Sequence, residues 1–209
     1  MAAMNPDPSP AVPQESSWRR ESDGAHDATI EANWLFQLRR ERFRSRISAK
    51  VHDYYVLHLA DAVQAIALTP DSKIVLVRQF RAGSARDSLE PPGGLLDAGE
   101  DPRDAAAREL LEETGYAGDP AEFIGSAYSN PSLMNSKIST VVIRNANPVA
   151  KPKLDTGEEV DVELVDIKDI PRMIRQGRFD HALTVMGLLW WLASGNEGVL
   201  AADQGGTVG

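Results

Sequence analysis

The chain has 209 residues, 42% of them apolar, enough for one domain with a real core and a modest N-terminal extension but not for a second full domain. Its 22 basic and 31 acidic side chains leave a net charge of −9, which argues against a general binder of nucleic acid or of an anionic membrane surface. Cysteine is absent, which removes disulfides, thiolate zinc sites and a cysteine nucleophile.

Residues 1–28 are rich in Pro, Ser, Ala and Asp without periodicity and read as a disordered tail. They lack the apolar core of a secretory signal, so a cytoplasmic location is expected. An arm follows over 29–52, and between Gln37 and Lys50 it sets Arg39, Arg40, Arg42, Arg44, Arg46 and Lys50 against a single acid, Glu41. It reads as a solvated segment of strand or helix, and Trp34, Leu35 and Phe36 give it apolar surface to bury. The domain proper covers 53–194, and its apolar runs predict strands at Asp53–Leu59, Ala62–Leu68 and Lys73–Phe80.

The next segment, Gly94 to Tyr116, is GLLDAGEDPRDAAARELLEETGY. Asp101 suits an N-cap, Pro102 the first helical turn and Gly115 the left-handed position after the last, so a helix is predicted from Pro102 to Thr114. Ala106, Ala107, Leu110 and Leu111 form its expected apolar face, Glu109 and Glu113 share a flank one turn apart, and Arg108 and Glu112 pair on the opposite flank. Like charges at this spacing repel by about 0.2–0.5 kcal/mol, and a cation between them reverses the sign. Hard oxygen ligands of this kind suit Mg²⁺ or Mn²⁺ bridging to phosphate-bearing substrates. Upstream, Glu90-Pro91-Pro92-Gly93-Gly94 and Ala98-Gly99-Glu100 read as two exposed turns whose free carbonyls could ligate a metal.

Further strands are predicted at Phe123–Tyr128, Ser139–Arg144 and Val160–Val165, with the loop Asn130-Pro131-Ser132-Leu133-Met134-Asn135-Ser136 after the first of them. That loop reads equally as a plain Asn-Pro turn or as a binding loop. Helices are predicted at Lys168–Gln176 and His181–Ala193, the latter with Leu183, Met186, Leu189 and Trp190 at helical spacing and Trp191 also in the core. The Gly- and Ala-rich residues 195–209 read as a flexible tail. A mixed sheet between helices, an α+β fold built as an α/β/α sandwich, accounts for these elements. The four histidines, His26, His52, His58 and His181, have no metal-ligand spacing and read as surface or satisfied core residues. No Walker-type loop or Ser-His-Asp arrangement occurs.

The spacing of Gly94, Glu100, Arg108, Glu109, Glu112, Glu113 and Gly115 resembles the signature of the Nudix hydrolases and matches all of its fixed positions. Four features outside it resemble the ADP-ribose and nucleotide-sugar pyrophosphatases of that family: Gln79-Phe80-Arg81 at a strand end, the Glu90 to Gly94 lead-in, Pro131 sixteen residues after Gly115, and GEEVDVELV from Gly157 to Val165. Ser132 departs from the pattern, standing where glycine is expected, and Thr156 stands where some relatives carry a base glutamate.

The resemblance implies a Nudix fold, and a metal-dependent hydrolase that splits ADP-ribose or a related nucleotide sugar into a nucleoside monophosphate and a sugar phosphate. Glu109, Glu112, Glu113, Glu158 and the Gly93 carbonyl are the implied metal ligands. Arg108 would orient the helix, and Glu112 or Glu159 would act as base. Arg81, Pro131, Ser132, Asn135 and Ser136 would contact substrate. Mg²⁺ or Mn²⁺ is the implied cofactor and a homodimer the implied assembly. Glu113→Gln is expected to lower turnover with the fold intact, as an exposed change. Alternatives are a non-catalytic nucleotide-sugar sensor of the same fold, or a hydrolase of nucleoside triphosphates or dinucleoside polyphosphates.

Overall fold

The computed structural model describes residues 16–21, 28–154, 157 and 159–195. The chain divides into two compact units, with the boundary between His58 and Leu59.

The first unit is built from β1 (Trp18–Arg20), β2 (Ala28–Ala32), β3 (Phe36–Ser45) and β4 (Val51–Leu59). β3 is its hub, antiparallel to both β1 and β2 and paired also with β4. The arm is therefore strand, and the acid among its arginines is not solvated: Glu41 is buried, with Arg20 Nη2 at 3.0 Å and His58 Nε2 at 2.6 Å from its Oε1. Other arginines of β3 are paired as well, Arg42 with Asp53 and Arg44 with Glu21. Trp18 stands edge-on to His52 and Tyr54.

The second unit contains β5 (Ala62–Leu68), β6 (Lys73–Arg81), β7 (Arg86–Glu90), β8 (Gly93–Leu95), α1 (Pro102–Thr114), β9 (Tyr116–Ala117), β10 (Glu122–Tyr128), β11 (Lys137–Ile143), β12 (Asn147–Pro148), β13 (Val160–Asp166), a 3-10 turn at Ile167–Asp169, α2 (Ile170–Arg175) and α3 (Ala182–Ala193). Its main sheet runs β10-β11-β5-β6-β13 and is mixed, β5 and β11 being parallel. Alternation along β5 sends Val63, Ala65 and Ala67 into one core with Ala105, Ala106 and Leu110 of α1, while Ile66 joins Ile170, Leu188, Trp191 and Leu192 of α2 and α3 in another. The fold is thus the expected α/β/α sandwich.

One feature of the sheet positions everything that follows. β5 and β6 pair at Ala67 with Val75 and Leu68 with Ile74, and beyond that β7 takes the place beside β6 and β8 the place beside β5. Pro91 and Pro92 carry the chain from one to the other. Both are buried, and a proline pair brings no backbone N–H to be left unsatisfied there. The Pro92 carbonyl accepts from the Ala65 N–H at 2.8 Å. The expectation of an exposed turn at Glu90–Gly94 is therefore corrected: Glu90, Pro91 and Pro92 are buried and Gly93–Gly94 begin a strand.

The predicted ends of α1 hold. Asp101 accepts from the Arg103 N–H, and Gly115 adopts φ 74°, a left-handed conformation in which its own N–H reaches the Leu111 carbonyl. The inward face differs from the expected one. Ala105, Ala106, Leu110 and Glu113 are buried, whereas Ala107 and Leu111 are exposed. In α3 the face is likewise rotated: Thr184, Gly187, Leu188, Trp191 and Leu192 are buried, and Leu189 is 47% exposed. A helix apolar nearly all round does not announce which side faces the sheet. Among the described residues no helix is long and apolar enough to cross a membrane.

Leu110 is fully buried between α1 and the sheet. Leu110→Ala should lower unfolding free energy by about 2–5 kcal/mol, read from denaturant melts of the purified protein.

Candidate active site

The acidic flank of α1 lies against the first two residues of β8. Glu113 is only 5% exposed, and its Oε2 accepts from the Gly93 N–H at 3.0 Å. The Glu109 carboxylate fills the space beside Gly94, where an added Cβ would overlap it. Two carboxylates one turn apart are thereby aimed at one dipeptide, and a side chain at 94 would have to displace the Glu109 carboxylate from its place. Glu113 was expected to be exposed; it is not, because it continues the inward row of Ala106 and Leu110.

Arg108 gathers the remaining acids. Its Nε and Nη2 donate to Glu100 at 3.0 and 2.9 Å, its Nη1 to Glu109 at 2.8 Å and to Glu112 at 3.3 Å, and its Nη2 also to the Leu95 carbonyl at 3.3 Å. Its proton is held more tightly than usual, chiefly by Glu100, against the cost of burial, with Glu109 adding to the effect. Glu100 in turn is held below the usual carboxylate range by Arg108 and by the Asp97 N–H. The like-charge repulsion within ELLEE is offset by this guanidinium at one side and by the Gly93 N–H at the other.

Among the described residues no three acids or histidines already gather in a metal-holding arrangement, and Glu158 lies outside the described residues. The donor set nonetheless fits a hard divalent cation: Glu109 and Glu113 converge on the Gly93–Gly94 backbone, and Glu112 lies one turn from Arg108 on the same helix. Glu159 is exposed, directly ahead of β13, whose Val160 pairs with Gln79 of β6.

A second cluster forms at the end of β6, and sequence reading missed its centre. Glu90 is 4% exposed. Arg81 Nε and Nη2 donate to its two oxygens at 2.9 and 2.8 Å, and His181 Nδ1 lies 3.3 Å from Oε2. Ser88 donates to Asp180 at 3.0 Å, which ties the residues ahead of α3 to β7. Only the lead-in pattern around Glu90 hinted at a role; His181 is far along the chain and carries no local signal.

The 130–136 loop is a tight turn, with the Asn130 carbonyl accepting from the Leu133 and Met134 N–H groups. Asn135 Oδ1 accepts from the Leu59 N–H at 3.1 Å, Ser136 is buried, and Pro131 and Ser132 stand exposed at the tip. The hydrogen bonds give the turn reading a structural basis and leave the tip open to a ligand.

A sequence model of the NUDIX domain matches residues 58–185. A methanol dehydrogenase activator of Bacillus methanolicus is 34% identical over 128 residues, 61% of this chain and 69% of that protein. An ADP-ribose pyrophosphatase of Bacillus subtilis is 31% identical over the same length, with the same shares. Among solved structures, an ADP compounds hydrolase aligns with a TM-score of 0.73 over 88% of this chain and 97% of its own, at 21% identity, which establishes a common fold.

Burial alone would push the Glu90 carboxyl up, but the His181 and Arg81 hydrogen bonds and the Arg81 charge outweigh it and hold the group at about 2, against an ordinary 4.5. A carboxyl depressed in the folded state contributes stability in full above its unfolded value and loses it as pH falls toward the folded one. The stability advantage of the wild type over Glu90→Gln should therefore shrink between about pH 4.5 and pH 2 and be constant above, as read from parallel chemical melts across that range.

Proposed function

Because the chain belongs to the Nudix family, we propose that it is a hydrolase that cuts the diphosphate bond of ADP-ribose or a related nucleotide sugar, releasing a nucleoside monophosphate and a sugar phosphate. The observation that carries the reading is the convergence of Glu109 and Glu113 on Gly93–Gly94, with Arg108 holding the acids beside them.

Glu109, Glu112, Glu113, Glu158 and the Gly93 carbonyl would hold Mg²⁺ or Mn²⁺. When bound, the ion offsets the charge of the diphosphate and makes a water easier to deprotonate. Arg108 keeps Glu109 and Glu112 in orientation through its anchor on Glu100. Glu112, 46% exposed at its side chain, and Glu159, exposed ahead of β13, are the two acids available to take the proton. Arg81 steadies the diphosphate oxygens with its planar donors. Pro131 and Ser132, at the exposed tip of their loop, with Asn135 and Ser136 behind them, would meet the sugar.

The full set of acids favours turnover over sensing. In the arm, Trp34 is 91% exposed, surface that a second copy of the chain would cover in a homodimer.

The test is release of AMP and sugar phosphate from ADP-ribose, beside other nucleotide sugars, dinucleotides and triphosphates, with Mg²⁺, Mn²⁺ or a chelator. Cleavage of ADP-ribose that stops on chelation is expected; tight binding without turnover would instead favour a sensor, and pyrophosphate from triphosphates a different substrate class. Glu113→Gln keeps an oxygen for the Gly93 N–H, so the fold should survive even though the site is buried. Its turnover should fall by at least about tenfold to a hundredfold, the range that loss of a metal site's supporting partners alone costs. Full turnover in that variant would remove Glu113 from the site.

A further inference from the structure

Glu90 is a buried charge, and such a group is retained only when paired. Its two oxygens take two parallel hydrogen bonds from Arg81, and His181 stands at one of them. The Arg81 side chain is 43% exposed, so one edge of the guanidinium is held against protein while the group as a whole still reaches solvent. His181 immediately precedes α3 and is brought to Glu90 beside the Ser88–Asp180 hydrogen bond.

We propose that Glu90 is a positioning residue for the reaction: its carboxylate takes the Nε–Nη2 edge of Arg81 and so fixes the plane in which the guanidinium meets the diphosphate, and His181 in turn fixes Glu90. The start of α3 thereby contributes to substrate binding without touching substrate. The inference rests on the reading of Arg81 as the diphosphate-binding group. A long, exposed side chain loses rotamer freedom when it docks an anion, and a fork already fixed by two parallel bonds has lost that freedom beforehand. Glu90 also shares its face of the sheet with Arg81, since Glu90 pairs with Val77, four residues before Arg81 on β6. A carboxylate that positions in this way acts on binding more than on chemistry.

The experiment is a double-mutant cycle on the full chain with Mg²⁺, using wild type, Glu90→Gln, Arg81→Ala and the double variant, with KM and kcat for ADP-ribose measured separately. Glu90→Gln should raise KM by roughly three- to tenfold, the cost of immobilising one long side chain, with kcat changed by less than about twofold. In the Arg81→Ala background the same change should leave KM where it was, because Glu90 then has no fork to hold. Some loss of melting temperature in Glu90→Gln is expected under either role; a purely structural role would move KM alike in both backgrounds, and that result overturns the proposal, as does an unchanged KM in Glu90→Gln.

Should Glu90→Gln fail to fold, His181→Gln replaces it in the cycle, with the same direction expected and a smaller rise. A wild type that turns over ADP-ribose while the cycle shows no coupling sinks the positioning role alone. A wild type with no turnover sinks the hydrolase reading, and the cycle is then read from ADP-ribose dissociation constants by calorimetry; absence of binding overturns both.

Discussion

The acidic flank of α1 lies directly on the strand that begins at Gly93–Gly94, with the Glu109 carboxylate beside Gly94 and the Glu113 carboxylate on the Gly93 N–H, and the site is organised around that contact. A side chain at 94 would displace the Glu109 carboxylate, and one at 93 would drive into the Val63 carbonyl across the sheet. With both absent, a helix bearing like charges one turn apart docks on backbone, and the Gly93 N–H meets Glu113 there. The helix would repel itself in isolation. Packed here, it has Arg108 bonded to Glu100, Glu109 and Glu112, so the fold itself supplies the compensation and ties three acids to one guanidinium.

What could be read from the sequence divides along physical lines. Local chemistry was legible: Asp101, Pro102 and Gly115 bound α1 at the residues where it begins and ends, and β5 runs over the predicted residues because alternation and turn signals are short-range. The Nudix spacing fixed which acids share a flank. Orientation about a helix axis was not legible. Three consecutive alanines in α1 fit any side, and the nearly uniform apolarity of α3 concealed that Thr184 and Gly187, not Leu189, face the sheet. The buried state of Glu113 belongs to the same class of error, since it follows from which side of α1 meets β8.

Long-range pairing was also illegible. Glu41 read as a stray acid in a basic arm, yet it is the buried partner of Arg20 and His58, residues that no periodic pattern links to it. Glu90, Arg81 and His181 likewise come from β7, β6 and the approach to α3, and only the folded sheet brings them together. The prolines misled for a related reason. Pro-Pro-Gly-Gly suggests a surface turn, but two residues without N–H groups are also well suited to a buried crossing between two strands, where a donor would be costly.

That crossing joins two clusters of opposite design. At Glu90 a carboxylate sits between a guanidinium and an imidazole, and at Arg108 a guanidinium sits among carboxylates. Glu90 ends β7 and Gly93 begins β8, so Pro91 and Pro92 alone separate the residue that grips Arg81 from the residue that anchors Glu113. Both have φ fixed by their rings, and both are buried, which leaves the spacer little freedom to lengthen or twist. A diphosphate spanning the two clusters would need its cationic clamp and its acidic centre at one set distance, because small misplacements are expensive in reactions governed by orientation. Two ring-locked residues between paired strands hold such a distance in a way that a flexible loop of the same length does not.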